Sequence, residues 1–170
     1  MGTVFASLPT TIFEVMSGLA RETGAINLGQ GFPDEPGPED VRRAAAEAVL
    51  DGYNQYPPML GLPELRQAVA AHYGHHHGLD LDWNREVFVT SGATEALAAA
   101  ILGLVEPGDE VVLIQPMYDA YLPLVERAGG VVRFVTLEPP DWRLTEEKLA
   151  KAFTPNTKVV VVNNPLNPTG

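Results

Sequence analysis

Apolar positions recur with two different rhythms along this chain, and the change of rhythm separates its halves. In the first half they fall at helical spacing. Val41, Ala44, Ala45, Ala48 and Val49 predict a helix over residues 39–51 that ends near Gly52. A shorter helix is expected over 12–22, followed by a turn at Gly24. Another begins near Pro63, where proline suits a first turn, with Leu65, Val69, His72 and Tyr73 along its packed side. Residues 29–38 are broken too often by Gly and Pro to continue a regular element, and they read as a loop.

The second half alternates short apolar runs with amphipathic ones. Residues 86–90, 110–114, 131–136 and 158–162 read as strands; residues 95–105, 118–127 and 144–153 read as helices. Val111-Val112-Leu113-Ile114 and Val159-Val160-Val161-Val162 lack the alternation of a strand with one wet face. They suit strands buried on both faces, which requires a mainly parallel central sheet with flanking helices. Glycines at 103, 108, 129 and 130 are placed for helix ends and turns. The expected class is α/β, with no repeat or low-complexity linker dividing the chain.

Composition narrows the chemistry. The 170 residues are 45% hydrophobic, enough for one substantial core. Lys plus Arg number 11 against 22 Asp plus Glu, and the formal charge of -11 disfavours nonspecific binding to nucleic acid or anionic membranes. Local phosphate binding stays open, because backbone N–H groups bind phosphate without a basic surface. The absence of Cys removes disulfides, Cys-based metal sites and thiol nucleophiles. The start shows no basic stretch followed by an apolar core, and no later run approaches the roughly eighteen apolar residues of a membrane span. A cytoplasmic location is expected.

Several residues invite a chemical reading. Ser91-Gly92-Ala93-Thr94 follows a strand candidate and opens a helix; it reads either as a helix cap or as a cradle in which small residues and N–H groups meet a phosphate. It has neither P-loop nor dinucleotide-fingerprint spacing, and Ser91 is not in a nucleophile elbow. Tyr56 either closes a small core or offers its phenol to a phosphate. Tyr118 stands where a ring can cover a planar ligand, with Tyr121 as the alternative packing residue. Asn167 carries an amide that can donate to an anionic ring oxygen, and Pro168 would stiffen the bend, although Asn-Pro and Thr-Gly also mark ordinary turns. His75-His76-His77 resembles a metal cluster in composition only, since adjacent helical side chains diverge, and no metal site is expected. Asp34 and Glu35 read as loop residues rather than an acid/base pair.

The order of these segments carries more than any one of them. Leu28-Gly29-Gln30-Gly31-Phe32-Pro33-Asp34, Asn54-Gln55-Tyr56, Thr90-Ser91-Gly92-Ala93-Thr94-Glu95-Ala96-Leu97, Gln115-Pro116-Met117-Tyr118-Asp119-Ala120-Tyr121 and Asn163-Asn164-Pro165-Leu166-Asn167-Pro168-Thr169-Gly170 together resemble the class I/II aminotransferases, fold type I pyridoxal phosphate enzymes. The opening loop resembles the branch with kynurenine, glutamine and methionine aminotransferases and cysteine-conjugate β-lyases. The resemblance implies pyridoxal 5'-phosphate as cofactor, amino acid and 2-oxo acid as substrates, and a homodimer with shared active sites. By position, it implies Gly31 in the substrate-carboxylate loop and Tyr56 on the phosphate of the neighbouring subunit's cofactor. Gly92, Ala93 and Thr94 would cradle the phosphate, Tyr118 would cover the ring, and Asn167 would reach its phenolic oxygen.

On this resemblance, residues 1–38 form an N-terminal arm with the substrate-side loop, and 39–170 form an incomplete large cofactor-binding domain. The Schiff-base lysine and the substrate and phosphate arginines are expected beyond Gly170. Lys148, Lys151 and Lys158 do not match that lysine. Two alternatives to the aminotransferase portion are a portion of a cysteine-conjugate or cystathionine β-lyase and a short noncatalytic cofactor-binding or regulatory protein. The 170-residue polypeptide alone is expected to be inactive in transamination; sustained amino transfer to a 2-oxo acid by the purified polypeptide would contradict this.

Overall fold

Val111, Val112 and Leu113 expose no surface to solvent, and the second half of the fold follows from covering them on both sides. In the computed structural model, which describes residues 3–6, 8–31, 33–167 and 169–170, they lie in the middle strand of a three-stranded sheet. The elements in chain order are α1 (Thr3–Ala6), α2 (Ile12–Thr23), α3 (Glu39–Asp51), α4 (Pro63–His77), α5 (Trp83–Glu86), α6 (Gly92–Leu104), β1 (Glu110–Gln115), α7 (Tyr121–Ala128), β2 (Val131–Thr136), α8 (Glu146–Ala152) and β3 (Thr157–Val161). The sheet runs β2-β1-β3 and is parallel throughout, with Leu113 opposite Phe134 on one side and Val161 on the other.

Successive side chains of β1 point to opposite faces. Val111 and Leu113 pack with Ile101 of α6 and with Tyr121 and Val125 of α7. Val112 and Ile114 pack with Val135, Leu137 and Ala152 of α8. Helices thus cover both faces, as a parallel sheet demands. The expectation of burial on both faces holds for β1 and fails for β3, where Val160 is 39% exposed, and for Val162 just beyond it, which is 69% exposed. The two runs have similar composition, but among the described residues β3 has a strand neighbour on one side only.

One polar group organises the start of the sheet. Glu110, 6% exposed, accepts from Arg133 of β2 at 2.7 Å and from the Thr154 hydroxyl at 2.6 Å. Those two donors, Arg133 first, hold its carboxyl below the usual carboxylate range. The group ties β1 to β2 and to the turn that leads into β3.

The chain groups into two compact units, Met1–Gly18 with Ser91–Gly170, and Leu19–Thr90. The second unit is organised by a charged residue. Arg66 of α4 is 4% exposed and donates to the carbonyls of Val87 (2.7 Å), Trp83 (2.9 Å) and Asn84 (2.9 Å), with its guanidinium 5.3 Å from the Trp83 ring centroid. The packed side expected for this helix is met at Val69, which is half-buried, and fails elsewhere: Arg66 is the buried residue, while Leu65, His72 and Tyr73 are exposed.

The same bonds explain why residues 86–90 do not form the expected strand. Asp82 caps α5 through the Asn84 N–H at 3.0 Å, Arg66 takes the Val87 carbonyl, and the Val89 N–H donates to Leu60 at 3.0 Å. These backbone groups are spent before a ladder can use them. Helix boundaries also move. α6 begins three residues before the expected start and runs through Gly103. α7 begins three residues after it, because the Tyr121 N–H closes a turn onto the Tyr118 carbonyl. α8 starts at Glu146, where the Thr145 hydroxyl accepts from the Lys148 N–H. Among the described residues, no helix is long and apolar enough to cross a membrane.

Two outcomes follow for stability. Arg66→Met strands three carbonyls and is expected to cost about 2–4 kcal/mol in the urea unfolding free energy; an unchanged midpoint would contradict the role given to Arg66. For Glu110, a folded value below the ordinary 4.5 means stabilisation that is present above 4.5 and lost as pH falls through the lower folded value. Glu110→Gln should therefore be less stable than the parent at pH 7, with the gap closing as pH falls well below 4.5. A gap independent of pH would contradict this.

Candidate functional site

Parallel strands deliver the chain to one edge. Because β1 pairs with β3 in parallel, residues 116–120 after β1 and 162–167 after β3 emerge at the same carboxyl end of the sheet, where ligands of open α/β sheets bind. α6 precedes β1 and packs back along it, which returns its first turn to that end. The result is visible in a cavity of about 470 Å³ lined by Thr94 together with Asp119, Ala120, Pro123 and Leu124, and closed by Phe5, Leu8 and Ile12. The structure thus brings Thr94 beside the turn that carries Tyr118.

The first turn of α6 is exposed. Gly92 begins the helix at φ +75°, a conformation that disfavours any side chain, and nothing lies within 4 Å of where its Cβ would be. Ser91 occupies the cap position and makes no side-chain cap hydrogen bond. The Ser91 N–H donates instead to the Glu95 carboxylate, so that the acid engages the backbone ahead of the helix. Gly92, Ala93 and Thr94 are exposed at the positive end of the helix dipole. Small residues, a hydroxyl and helix N–H groups form a donor set that fits a phosphate.

Tyr118 is half-buried, and its ring meets Tyr121 edge-on, with centroids 5.8 Å apart at 76°. It rests on the α6/α7 side of β1, so its ring is supported from below. Gln115, the last residue of β1, donates through Nε2 to the Thr136 hydroxyl at 2.8 Å, fastening the two strand ends. Asn167 is exposed, while its neighbour Leu166 packs against the Val112 and Ile114 cluster and anchors the loop. Pro168 lies outside the described residues, as does Phe32. The Thr169 hydroxyl is buried without a partner, and buried donors of that kind are uncommon. It reads in sequence as one half of a Thr-Gly turn, which hides it.

The remaining site residues belong to the other unit. Tyr56 is 100% exposed on a loop whose Tyr53 holds φ at 28°, rare for a residue with a side chain. The Asn54 amide donates to the Val49 carbonyl at 2.7 Å, and a Cβ at Gly61 would meet Val89 at 2.6 Å. This loop is held at both ends while its tyrosine projects outward, beside a cavity of about 690 Å³. The reading of Tyr56 as closing a small core is thereby corrected. Gly31 is exposed just after a bend at residues 29–30, with nothing within 4 Å of its Cβ position. Asp34 and Glu35 are exposed in the loop that follows.

The lysines have local partners or face solvent. Lys148 donates to the Thr136 carbonyl at 3.2 Å, Lys151 pairs with Glu147 at 2.6 Å, and Lys158 is exposed on β3. Among the described residues, no group of three or more His, Cys, Asp or Glu is arranged to hold a metal. Sequence reasoning missed Arg66 and Thr169, and it did not single out Asp119, whose place beside Thr94 depends on how α6 and α7 pack.

Comparison with known proteins gives a consistent result. Residues 23–170 match the family described as aminotransferase class I and II. A probable N-succinyldiaminopimelate aminotransferase of Mycobacterium tuberculosis is 52% identical over 163 residues, covering 95% of this chain and 41% of that protein. The solved structure of N-succinyldiaminopimelate aminotransferase from the same organism matches with a TM-score of 0.93 and 49% identity, over 99% of this chain and 44% of that one. A structure from Escherichia coli with methionine aminotransferase function matches with a TM-score of 0.93 and 42% identity, again over 99% of this chain and 44% of that one. The chain thus spans less than half the length of the proteins it matches.

Proposed function

Since the chain belongs to the aminotransferase class I and II family, we propose that the protein carrying it is a pyridoxal phosphate-dependent aminotransferase that moves an amino group from an amino acid to a 2-oxo acid. The chain corresponds to the N-terminal portion of such an enzyme, and the family is generally pyridoxal phosphate-dependent. The observation that carries the reading is the exposed first turn of α6, small residues and a hydroxyl at a helix N-terminus, at the sheet edge where the Tyr118 turn and the Asn167 loop also emerge.

In this reading Gly92, Ala93 and Thr94 hold the phosphate through backbone N–H groups and the Thr94 hydroxyl. Gly92 contributes chiefly its shape. Tyr118 covers one face of the ring and excludes water from it. Asn167 donates its amide to the ring's phenolic oxygen, and the adjacent Thr169 hydroxyl is a further donor in the same loop. When bound, the group supplies an electron-withdrawing ring that stabilises negative charge at the substrate α-carbon. Gly31 lies in the loop that meets the substrate carboxylate. Tyr56, fully exposed here, serves a second copy of the protein in a homodimer, reaching the phosphate held there. The names of the relatives favour an amino-acid donor with a long or thioether side chain, N-succinyldiaminopimelate and methionine being the first to try.

The protein at its natural length, supplied with pyridoxal phosphate and 2-oxoglutarate, should convert at least one of these donors to its 2-oxo acid; failure across an amino-donor panel by a cofactor-loaded protein would overturn the reading. Thr94→Ala should weaken retention of pyridoxal phosphate about tenfold, the value of one hydrogen bond to a charged group. Retention equal to the parent's would remove Thr94 from the cradle.

A further inference from the structure

We propose that His72 and His76 form a two-histidine site for a divalent transition cation on the exposed side of α4. Residues four apart on a helix are neighbours one turn apart on the same side. Here their imidazole centroids lie 4.3 Å apart, with the ring planes tilted by 45°. The pair that matters is thus not contained in the consecutive run His75-His76-His77. Within that run His75 and His76 meet edge-on at 87°, and the His77 ring stands 6.4 Å from His72 and 5.2 Å from Tyr73.

The backbone under the pair is already in place. α4 continues one residue beyond His76, and the Gly78 and Leu79 N–H groups close its end onto the carbonyls of Gly74 (3.2 Å) and Tyr73 (3.4 Å). Both imidazoles are exposed, so chelation requires only rotation of side chains and no ordering of the chain. The negative end of the helix dipole lies at this end of α4, and the formal charge of -11 adds a general attraction for cations.

The donor chemistry selects the ion. Imidazole nitrogen suits Cu2+, Ni2+ and Zn2+, whereas Mg2+ and Ca2+ demand oxygen ligands. With no third protein ligand arranged among the described residues, water completes the coordination and keeps the site exchangeable. The site lies in the Leu19–Thr90 unit and does not rest on the aminotransferase reading.

The test is a titration of the protein at its natural length with Cu2+ alone, in a buffer that does not chelate. Calorimetry reads the affinity and electron paramagnetic resonance reads the coordinating nitrogens. The parent is compared with His72→Gln, His76→Gln, His75→Gln and His77→Gln; all four side chains are exposed, so folding is preserved and is checked by circular dichroism. The expected result is a site with two imidazole nitrogens that is weakened at least about tenfold in His72→Gln and in His76→Gln, but by less than about threefold in the other two. Equal weakening in all four variants would mean a diffuse histidine patch and overturn the pair. So would weakening confined to His75→Gln and His77→Gln, or full affinity in His72→Gln or His76→Gln.

Discussion

The second half of this structure depends on keeping β1 dry on both faces. Four consecutive apolar residues cannot alternate between core and solvent, so the strand must lie between two others and beneath helices on either side. α6 and α7 cover Val111 and Leu113, and α8 covers Val112 and Ile114. That cover determines the site. With every strand parallel, the connections after β1 and β3 reach one edge, and α6, packed back along β1, presents its first turn there. Thr94 and the turn that carries Tyr118 meet there.

The two ends of β1 divide the work. At its start Glu110 gathers Arg133 and Thr154, fastening three segments by charge and hydrogen bonds. At its end Gln115 and Thr136 close the strand pair, and beyond them the chain is free to carry Tyr118. In the Leu19–Thr90 unit, Arg66 has the role that an apolar residue usually has. Its guanidinium gathers three carbonyls, one of them at Val87, where a strand was expected, and it holds the segment that leads toward the α6 cradle.

How much of this could be read from sequence depended on whether the cause was local. β1 was legible because a doubly buried strand writes an unbroken apolar run, and α3 because its apolar positions repeat at helical spacing. β3 carries an equally apolar run, yet its exposure depends on how many strands flank it, which no local pattern encodes. Residues 86–90 look like a strand because Val and Phe favour one, but Arg66 and Leu60 claim their backbone groups from elsewhere in the chain. A lone Arg on a helix normally faces water, so its burial left no signal. The family was legible as an ordered set of motifs, and the family assignment agrees. The geometry of the candidate site was not legible: that Asp119 joins Thr94 in one cavity, and that the Thr169 hydroxyl is buried without a partner, depends on packing alone.

The central claim is that the edge shared by the α6 first turn, the Tyr118 turn and the Asn167 loop receives a phosphorylated, planar cofactor. A crystal structure of the protein at its natural length, grown with pyridoxal phosphate, tests it most directly. The account predicts the phosphate on the N–H groups and hydroxyl of residues 92–94, the ring against Tyr118, and its phenolic oxygen within hydrogen-bonding distance of the Asn167 amide. A cofactor bound with its phosphate away from the α6 first turn, or with Asn167 facing no part of the ring, would contradict the account.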